Sequence, residues 1–121
     1  MEITVCQKTI FCQVVSMGND YQICLYGGDQ GHIGSVVLAQ PYRKNNKIYV
    51  TCSMINRCGH YDDIIASEFA KKAAQHFESV VCCSCGIHFD DIDASAIQQI
   101  KLACQQLLNQ LFINKEKFEN V

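Results

Sequence analysis

The chain has 121 residues, of which 49% are hydrophobic and 18% are charged, and its formal net charge is −2. This length and composition allow a hydrophobic core, which excludes a disordered chain and predicts a single domain over residues 1–121. No run of Lys or Arg is long enough to form a basic stripe, so we expect no nucleic-acid partner.

The location of the protein is predicted from its first residues and its cysteines. No basic flank followed by an apolar run opens the sequence, and no stretch reaches the roughly 20 apolar residues of a membrane span. Nine cysteines, an odd number, without a secretion signal argue against a disulfide framework. We therefore expect a cytoplasmic protein with no membrane partner, whose cysteines serve as small apolar side chains. Cys82 and Cys85 are a weak zinc signal, because strand residues three apart point to opposite faces.

The first half of the chain predicts five strands, in segments rich in β-branched and aromatic residues at 3–6, 10–17, 21–26, 33–39 and 47–54. Gly18, Asn19 and Asp20 form a turn cluster that predicts a hairpin between the second and third strands. Pro41 is expected to end the fourth strand, because proline cannot donate to a sheet ladder, and residues 43–46 are expected to form a loop. Alternation in the fifth strand predicts four inward side chains: Ile48, Val50, Cys52 and Met54.

The second half of the chain changes to a helical period. In residues 61–77 the apolar side chains of Ile65, Phe69, Ala73 and Phe77 recur every four positions, with Ile64 alongside on the predicted core face. Acidic residues precede them, as suits a helix N-terminus. The almost wholly apolar segment 79–85 predicts a central strand covered on both faces. A second helix follows, capped by Asp93 or Ser95, with apolar positions Ile97, Ile100, Cys104, Leu107 and Leu111. The pattern predicts an α+β fold, a mainly antiparallel sheet of about six strands packed by two helices.

The first candidate motif is the glycine-rich segment 27–34, which contains Gly27, Gly28, Asp29, His32 and Gly34. Glycines allow backbone amides to approach an anion closely. The segment joins two predicted strands and lacks a Lys-Ser/Thr pair, so it is neither a dinucleotide fingerprint nor a Walker loop. An anion-binding loop and a wide hairpin turn with an exposed histidine are equally compatible with these residues.

The second candidate motif, 58–63, lies between the fifth strand and the first helix and contains Gly59, His60 and Asp62. Backbone N–H groups at a helix N-terminus bind anions, and His60 would add a contact. By itself a glycine turn followed by capping carboxylates explains the segment better. Cys58 activated by His60 is a weaker alternative, because no third orienting group is evident.

The third candidate motif contains Gly86, His88 and Asp90 and directly follows the predicted central strand. Residues just beyond strand ends are a usual place for ligands, although a strand-to-helix loop with a capping aspartate also fits. Three histidines make a familiar zinc site, so His32, His60 and His88 are also an alternative metal site. None of the three has a second histidine at ligand-pair spacing.

Taken together and in this order, the three motifs resemble the small LpdD-like family, whose members are also labelled as accessory subunits of gallate decarboxylase. The resemblance implies a non-enzymatic chaperone that binds reduced prenylated FMN and delivers it to a UbiD-like decarboxylase of aromatic acids. It also implies a homodimer and a fold similar to proteasome-assembly chaperones.

Beside that resemblance, the residues themselves are compatible with a flavin phosphate near glycines and histidines and a ring against an apolar wall. Tyr26, Tyr61 or Phe89 would supply the wall. A metal-dependent enzyme and a purely structural assembly module are the alternatives. The candidate binding residues are Gly27, Gly28, Asp29, His32, Gly34, Gly59, His60, Asp62, Gly86, His88 and Asp90.

Overall fold

A computed structural model describes residues 1–57, 62–114 and 119–120, without the side chains of residues 62, 119 and 120. Within these ranges the chain forms seven strands and two helices. In chain order they are β1 (Glu2–Val5), β2 (Lys8–Met17), β3 (Asp20–Gly28), β4 (Ser35–Lys44), β5 (Lys47–Asn56), α1 (Asp62–Phe77), β6 (Val81–His88), α2 (Ala94–Ile113) and β7 (Glu119–Asn120).

The strands form one sheet in the order β1-β2-β3-β6-β4-β5, with β7 pairing beside β2. Four neighbouring pairs are antiparallel, whereas β3–β6 and β2–β7 are parallel. The predicted α+β fold with a mainly antiparallel sheet is therefore confirmed, and β6 is the central strand that its apolar sequence predicts. The likeness to proteasome-assembly chaperones stays a prediction. No helix in the described ranges is long and apolar enough to cross a membrane.

Two short turns set the register of the hairpins. Met17 pairs with Asp20 around Gly18, whose φ of 61° lies in the left-handed region, so the predicted β2–β3 hairpin is confirmed. Asn45 and Asn46, with φ of 53° and 64°, close the β4–β5 hairpin. The predicted loop 43–46 is thus too long, because an asparagine pair closes the hairpin in two residues.

The prediction that Pro41 ends the fourth strand is wrong, since β4 continues through it to Lys44. β6 pairs with β4 only between Ser35 and Ala39. Beyond Ala39, β5 is the one neighbour of β4 among the described strands, so the segment is a sheet edge. A proline is tolerated at an edge because its missing N–H leaves no partner unsatisfied.

The hydrophobic core lies between one face of the sheet and the two helices, and α1 packs on β4, β5 and β6 while α2 packs on α1 and β1. Asp93 caps α2, accepting the Ala96 N–H at 2.8 Å. Three residues predicted to face the core are exposed instead: Ile64, Ile97 and Met54. The largest fully buried side chains are Ile10, Cys12, Ile23, Leu25, Ser35, Val37, Val81, Cys83, Cys85, Leu107, Leu108 and Leu111.

The opposite face of the sheet is not covered by either helix. Cys82 and Ser84 on this side of β6 are only half-buried, whereas Val81 and Cys83 on the helix side are buried. The prediction that residues 79–85 are covered on both faces is therefore wrong, because both helices pack on one side. The opposed burial of Cys82 and Cys85 confirms that they point to different faces.

Candidate functional site

The sheet topology brings the first and third sequence motifs to one edge. β3 and β6 are parallel, with Gly28 paired to His88, so both strands end at the same edge. β4 begins there and β5 ends there, as the pairing of Ser35 with Asn56 and with Cys85 shows. Because carboxyl ends of parallel strands meet at one edge, residues 60 positions apart in the sequence become neighbours.

The segment 29–34, here called the crossing segment, passes over the end of β6 to connect β3 with β4. It is therefore not the hairpin turn that the sequence also allowed. The Asp29 N–H donates to the carbonyl of His88 at 2.6 Å, and the Gly34 N–H donates to the carbonyl of Cys85 at 2.9 Å. At Gly86 the backbone of His32 fills the space where a Cβ would lie. Two backbone hydrogen bonds and the contact of His32 with Gly86 thus join the first motif to the third.

The glycines of the first motif have a packing reason within the protein itself. Gly27 and Gly28 have φ of 141° and 79°, and a Cβ at Gly28 would overlap the carbonyl of His88. The amides of Asp29 and Gly34 already donate to protein carbonyls. A bound anion would therefore be held by side chains at this edge rather than by these two amides.

The two described histidines of the motifs lie together. The ring centroids of His32 and His88 are 6.5 Å apart, with the rings edge to face at 78°. His88 Nε2 lies 2.8 Å from Oδ1 of Asp90, and His32 Nδ1 lies 3.4 Å from the carbonyl oxygen of Gln30. His88 is about half exposed and His32 is half-buried, so both ring edges border solvent.

Asp29 joins three segments at this edge. Its Oδ2 accepts the Asp90 N–H at 2.8 Å, and its Oδ1 lies 3.3 Å from Nζ of Lys8 at the start of β2. The hydrogen bond from Asp90 N–H, assisted by Lys8, lowers the pKa of Asp29 below its ordinary value. Sequence reasoning missed Lys8, because a single lysine at the start of a strand carries no local signal.

Arg57 is the second site residue that sequence reasoning missed. Its backbone N–H donates to the carbonyl of Gly34 at 2.8 Å, and its Nη1 donates to the carbonyl of Ile33 at 3.0 Å. These bonds hold a guanidinium beside the His32 segment. The residue lies just before the second motif, and its link to the first motif depends on long-range strand pairing that local patterns do not reveal.

The second motif is only partly described. Gly59 and His60, with Cys58 and Tyr61, lie outside the described residues, and Asp62 begins α1 without a described side chain. The last turns of α1 reach the opposite end of the sheet, where Gln75 Nε2 donates to the carbonyl of Ile48 at 3.3 Å. Both flanks of the motif, Arg57 and the start of α1, are therefore at the edge that holds the other two motifs.

The comparison with known protein families agrees with this convergence. The model of the prenylated flavin chaperone LpdD-like domain matches residues 5–116, which include all three motifs. The chain belongs to this family. It matches no curated protein. The family name identifies a chaperone with flavin-related cargo, which suggests an accessory protein for an enzyme.

An aromatic surface borders the edge of this LpdD-like domain. Tyr26 stacks on Phe11 with centroids 5.4 Å apart and an interplanar angle of 26°. A Cβ at Gly31 would lie 3.1 Å from the Tyr26 ring, so the crossing segment rests against that ring. Phe89 is only 8% exposed and belongs to the core, and Tyr61 lies outside the described residues. Of the three aromatic residues predicted to form a ring wall, Tyr26 is the described one at the surface.

The alternative three-histidine metal site depends on His60, which lies outside the described residues. The described part of the chain contains no group of three or more His, Cys, Asp or Glu residues that could hold a metal ion. His32 and His88 lie together, but His60 is outside that part. The three-histidine site therefore stays a hypothesis.

Proposed function

We propose that this LpdD-like domain binds reduced prenylated FMN at the edge formed by His32, Arg57 and His88. It delivers this cargo to a UbiD-like decarboxylase of aromatic acids, of the gallate decarboxylase type. The observation that carries the proposal is the pair of histidine rings 6.5 Å apart, at the segment whose Ile33 carbonyl accepts from the Arg57 guanidinium and whose Gly34 carbonyl accepts from the Arg57 backbone N–H. Metal-free recognition of an anionic cofactor needs such a group of hydrogen-bond donors.

The cargo phosphate is assigned to the guanidinium of Arg57. Arg57 is held by its bond to Ile33, so its remaining N–H donors lose little freedom when they bind a phosphate. Lys8 already pairs with the carboxylate of Asp29 at 3.3 Å, so the phosphate assignment rests on Arg57. Since the amides of Asp29 and Gly34 are already paired, this assignment does not depend on a glycine amide cradle.

The flavin-derived ring is assigned to the aromatic surface. Tyr26 and Phe11 present a stacked pair beside the crossing segment, and a planar ring stacks favourably on such a surface. His32 and His88 border the same segment and would donate or accept at the polar rim of the ring. His60 is the third histidine proposed for this contact.

The role is proposed as non-catalytic. Burial raises the pKa of Cys12 to about 12 and raises that of Cys83 well above its ordinary value, so these thiols are poor nucleophiles. No disulfide joins the eight described cysteines, which suits the reducing cytoplasm that we propose as the location of the protein. A homodimer is part of the same proposal.

The test is an anaerobic titration of the purified chain with reduced prenylated FMN and, separately, with reduced FMN. We expect saturable binding of the prenylated flavin, seen in its absorbance, and slower reoxidation in air when it is bound. A mixture with an apo UbiD-like decarboxylase should gain activity faster than free flavin provides. Absence of binding to either flavin would overturn the proposal.

Variants separate the site from general effects on the fold. His32→Ala and His88→Ala should each weaken flavin binding at least tenfold, about 1.4 kcal/mol. His76→Gln is the matched control, because His76 lies on α1 and stacks on Phe112 of α2. Metal analysis of tag-free protein tests the metal alternative, for which stoichiometric zinc or iron bound through His32, His60 and His88 is required.

A further inference from the structure

The edge strand β5 lacks the features that usually protect the edge of a sheet. It pairs with β4 in unbroken register over all ten of its residues, and no charged residue or proline occurs between Lys47 and Arg57. Natural sheets protect their edges with short strands, bulges, prolines or charges, because an open ladder pairs with other chains. The opposite edge follows this rule, since β1 has only four residues and begins with Glu2. The β5 edge is therefore a candidate surface for strand pairing.

The backbone groups of β5 that point away from β4 are assigned by two hydrogen bonds. The Arg57 N–H donates to Gly34 on the β4 side, whereas the carbonyl of Ile48 accepts from Gln75 of α1 at 3.3 Å. Successive residues of an antiparallel strand direct their backbone groups to alternate sides, so every second residue after Ile48 faces outward. The outward residues between these two bonds include Val50, Cys52 and Met54. Within the described ranges no hydrogen bond engages the N–H or C=O groups of these three residues.

A groove of about 340 Å³ lies between this strand and α1, and lysines outnumber carboxylates in it. Its lining residues are Ile48, Tyr49, Val50, Glu68, Lys71, Lys72 and Gln75. Lys71 and Lys72 are both exposed, and Lys72 donates to the neutral Gln105 at 2.9 Å. Within the described part of the chain neither lysine is ion-paired with a carboxylate. The groove therefore favours acidic side chains.

The other side of β5 is apolar. Side chains alternate along a strand, so the partners of the residues in the core row of β4 face the helices, and Tyr49, Thr51, Ser53 and Ile55 face away from them. Tyr49 is 43% exposed and Ile55 is 76% exposed. A strand added at this edge would therefore meet positive charge on its helix side and apolar surface on its other side.

We propose that β5 accepts an extended segment of a partner protein as an additional strand, and that acidic and apolar side chains alternate in this segment. The inference rests on the proposed function for the identity of the partner, which is the enzyme that receives the cargo. In this mode of recognition the backbone hydrogen bonds give affinity and the alternate side chains give specificity. β5 ends at the edge that holds His32 and His88, so the added strand brings the partner beside the cargo.

An acidic segment matches this edge better than a second copy of the chain does. Two β5 strands paired about a twofold axis would place both α1 helices on the same side of the joined sheet. Lys71 and Lys72 of both copies would then border the same groove and repel one another. Carboxylates of an acidic segment gain attraction from the same lysines, which also selects the segment against uncharged or basic strands.

The first test measures binding of an apo UbiD-like decarboxylase to the purified chain, without flavin, by biolayer interferometry. Met54→Pro removes an outward N–H and leaves the ladder with β4 intact, as Pro41 does on the edge side of β4. It should bind at least tenfold more weakly than Met54→Ala, which keeps the N–H. Lys71→Glu should weaken binding by a similar factor, whereas Lys101→Glu, on α2 and outside the groove, should bind as the wild type does. Equal binding by Met54→Pro and Met54→Ala, or a wild type that does not bind, contradicts the inference.

The second test uses the wild type and is specific to strand addition. In complex with the apo decarboxylase, hydrogen exchange at the amides of Val50, Cys52 and Met54 should slow at least tenfold, because each gains or borders a new backbone hydrogen bond. Exchange at Thr51 and Ser53 should change little, since these amides already face β4. Equal slowing at all five amides contradicts strand addition. Slowing that depends on the concentration of the chain alone would assign the edge to a second copy, and it also contradicts the inference.

The outcomes separate this inference from the proposed function. A chain that binds the decarboxylase through β5 but binds no flavin refutes the proposed function alone. If the wild type and Met54→Pro both bind reduced prenylated FMN and activate the apo decarboxylase equally fast, the inference alone is refuted.

Discussion

The backbone carbonyl of His32 lies beside the α-carbon of Gly86, in the space that any other side chain would fill. This contact brings the crossing segment onto the central strand. Gly86→Ala should therefore push His32 away and lower the free energy of unfolding by about 3 kcal/mol, since backbone atoms cannot move aside cheaply. Urea denaturation measures this change.

Gly18→Ala is the matched control for that substitution. Gly18 has a positive φ but open space around it, so alanine there should cost only about 1 kcal/mol of conformational strain. Equal losses at both positions would show that contact with His32 is unimportant. Gly86→Ala that still folds at low temperature should also bind reduced prenylated FMN at least tenfold more weakly.

Arg57→Ala removes the guanidinium from the sheet edge that holds His32 and His88. Flavin binding should weaken at least tenfold, because the proposed phosphate contact and the bond to Ile33 are both lost. The free energy of unfolding should fall by only about 1 kcal/mol. Arg43→Ala is the control, since Arg43 pairs with Glu78 away from this edge. If Arg57→Ala binds reduced prenylated FMN as the wild type does, the phosphate lies elsewhere.

The pH dependence of stability should carry a contribution from Asp29. Its pKa is lower in the folded chain than in the unfolded chain, so its ionised form stabilises the fold above about pH 4. This contribution is lost as the pH falls through the folded pKa. Asp29→Asn should therefore be less stable than the wild type at pH 6, and the difference should shrink toward pH 2.5. Urea denaturation across that range measures it, with Glu68→Gln as the control.

Thiol reactivity should divide the cysteines by burial. With the pKa of Cys12 near 12, roughly one thiol in 10,000 is ionised at pH 8, and burial also raises the pKa of Cys83 well above its ordinary value. Iodoacetamide should modify Cys6 at least a hundredfold faster than either, as measured by peptide mass spectrometry. Comparable rates would mean that the core opens readily near β2 and β6.

The elements of the fold could be predicted because they depend on local patterns. Period-two alternation in β3 places Tyr21, Ile23 and Leu25 inside, and the Gly18 turn fixes a hairpin. The length of β4 could not be predicted, because Pro41 is tolerated only at the edge that β6 leaves open. The exposure of Met54 also depends on sheet order, since β5 is an edge strand.

The candidate site was predicted only in part, for the same reason. His32, His88 and Asp90 each follow a local glycine signal, and the structure brings them together. Arg57 and Lys8 reach the edge through strand pairing across most of the chain, which no short motif records. The contribution of His60 stays a prediction.

The place of β6 between β3 and β4 has a consequence for biosynthesis. The two hairpins that come first in the chain, β2–β3 and β4–β5, are not neighbours and meet only through a strand that ends at His88. A nascent chain that has not yet released this strand from the ribosome has neither a continuous sheet nor the Asp90 N–H that donates to Asp29. If the cargo binds at this edge as proposed, an incomplete chain that lacks the last motif has no complete site, and it is expected not to bind the flavin.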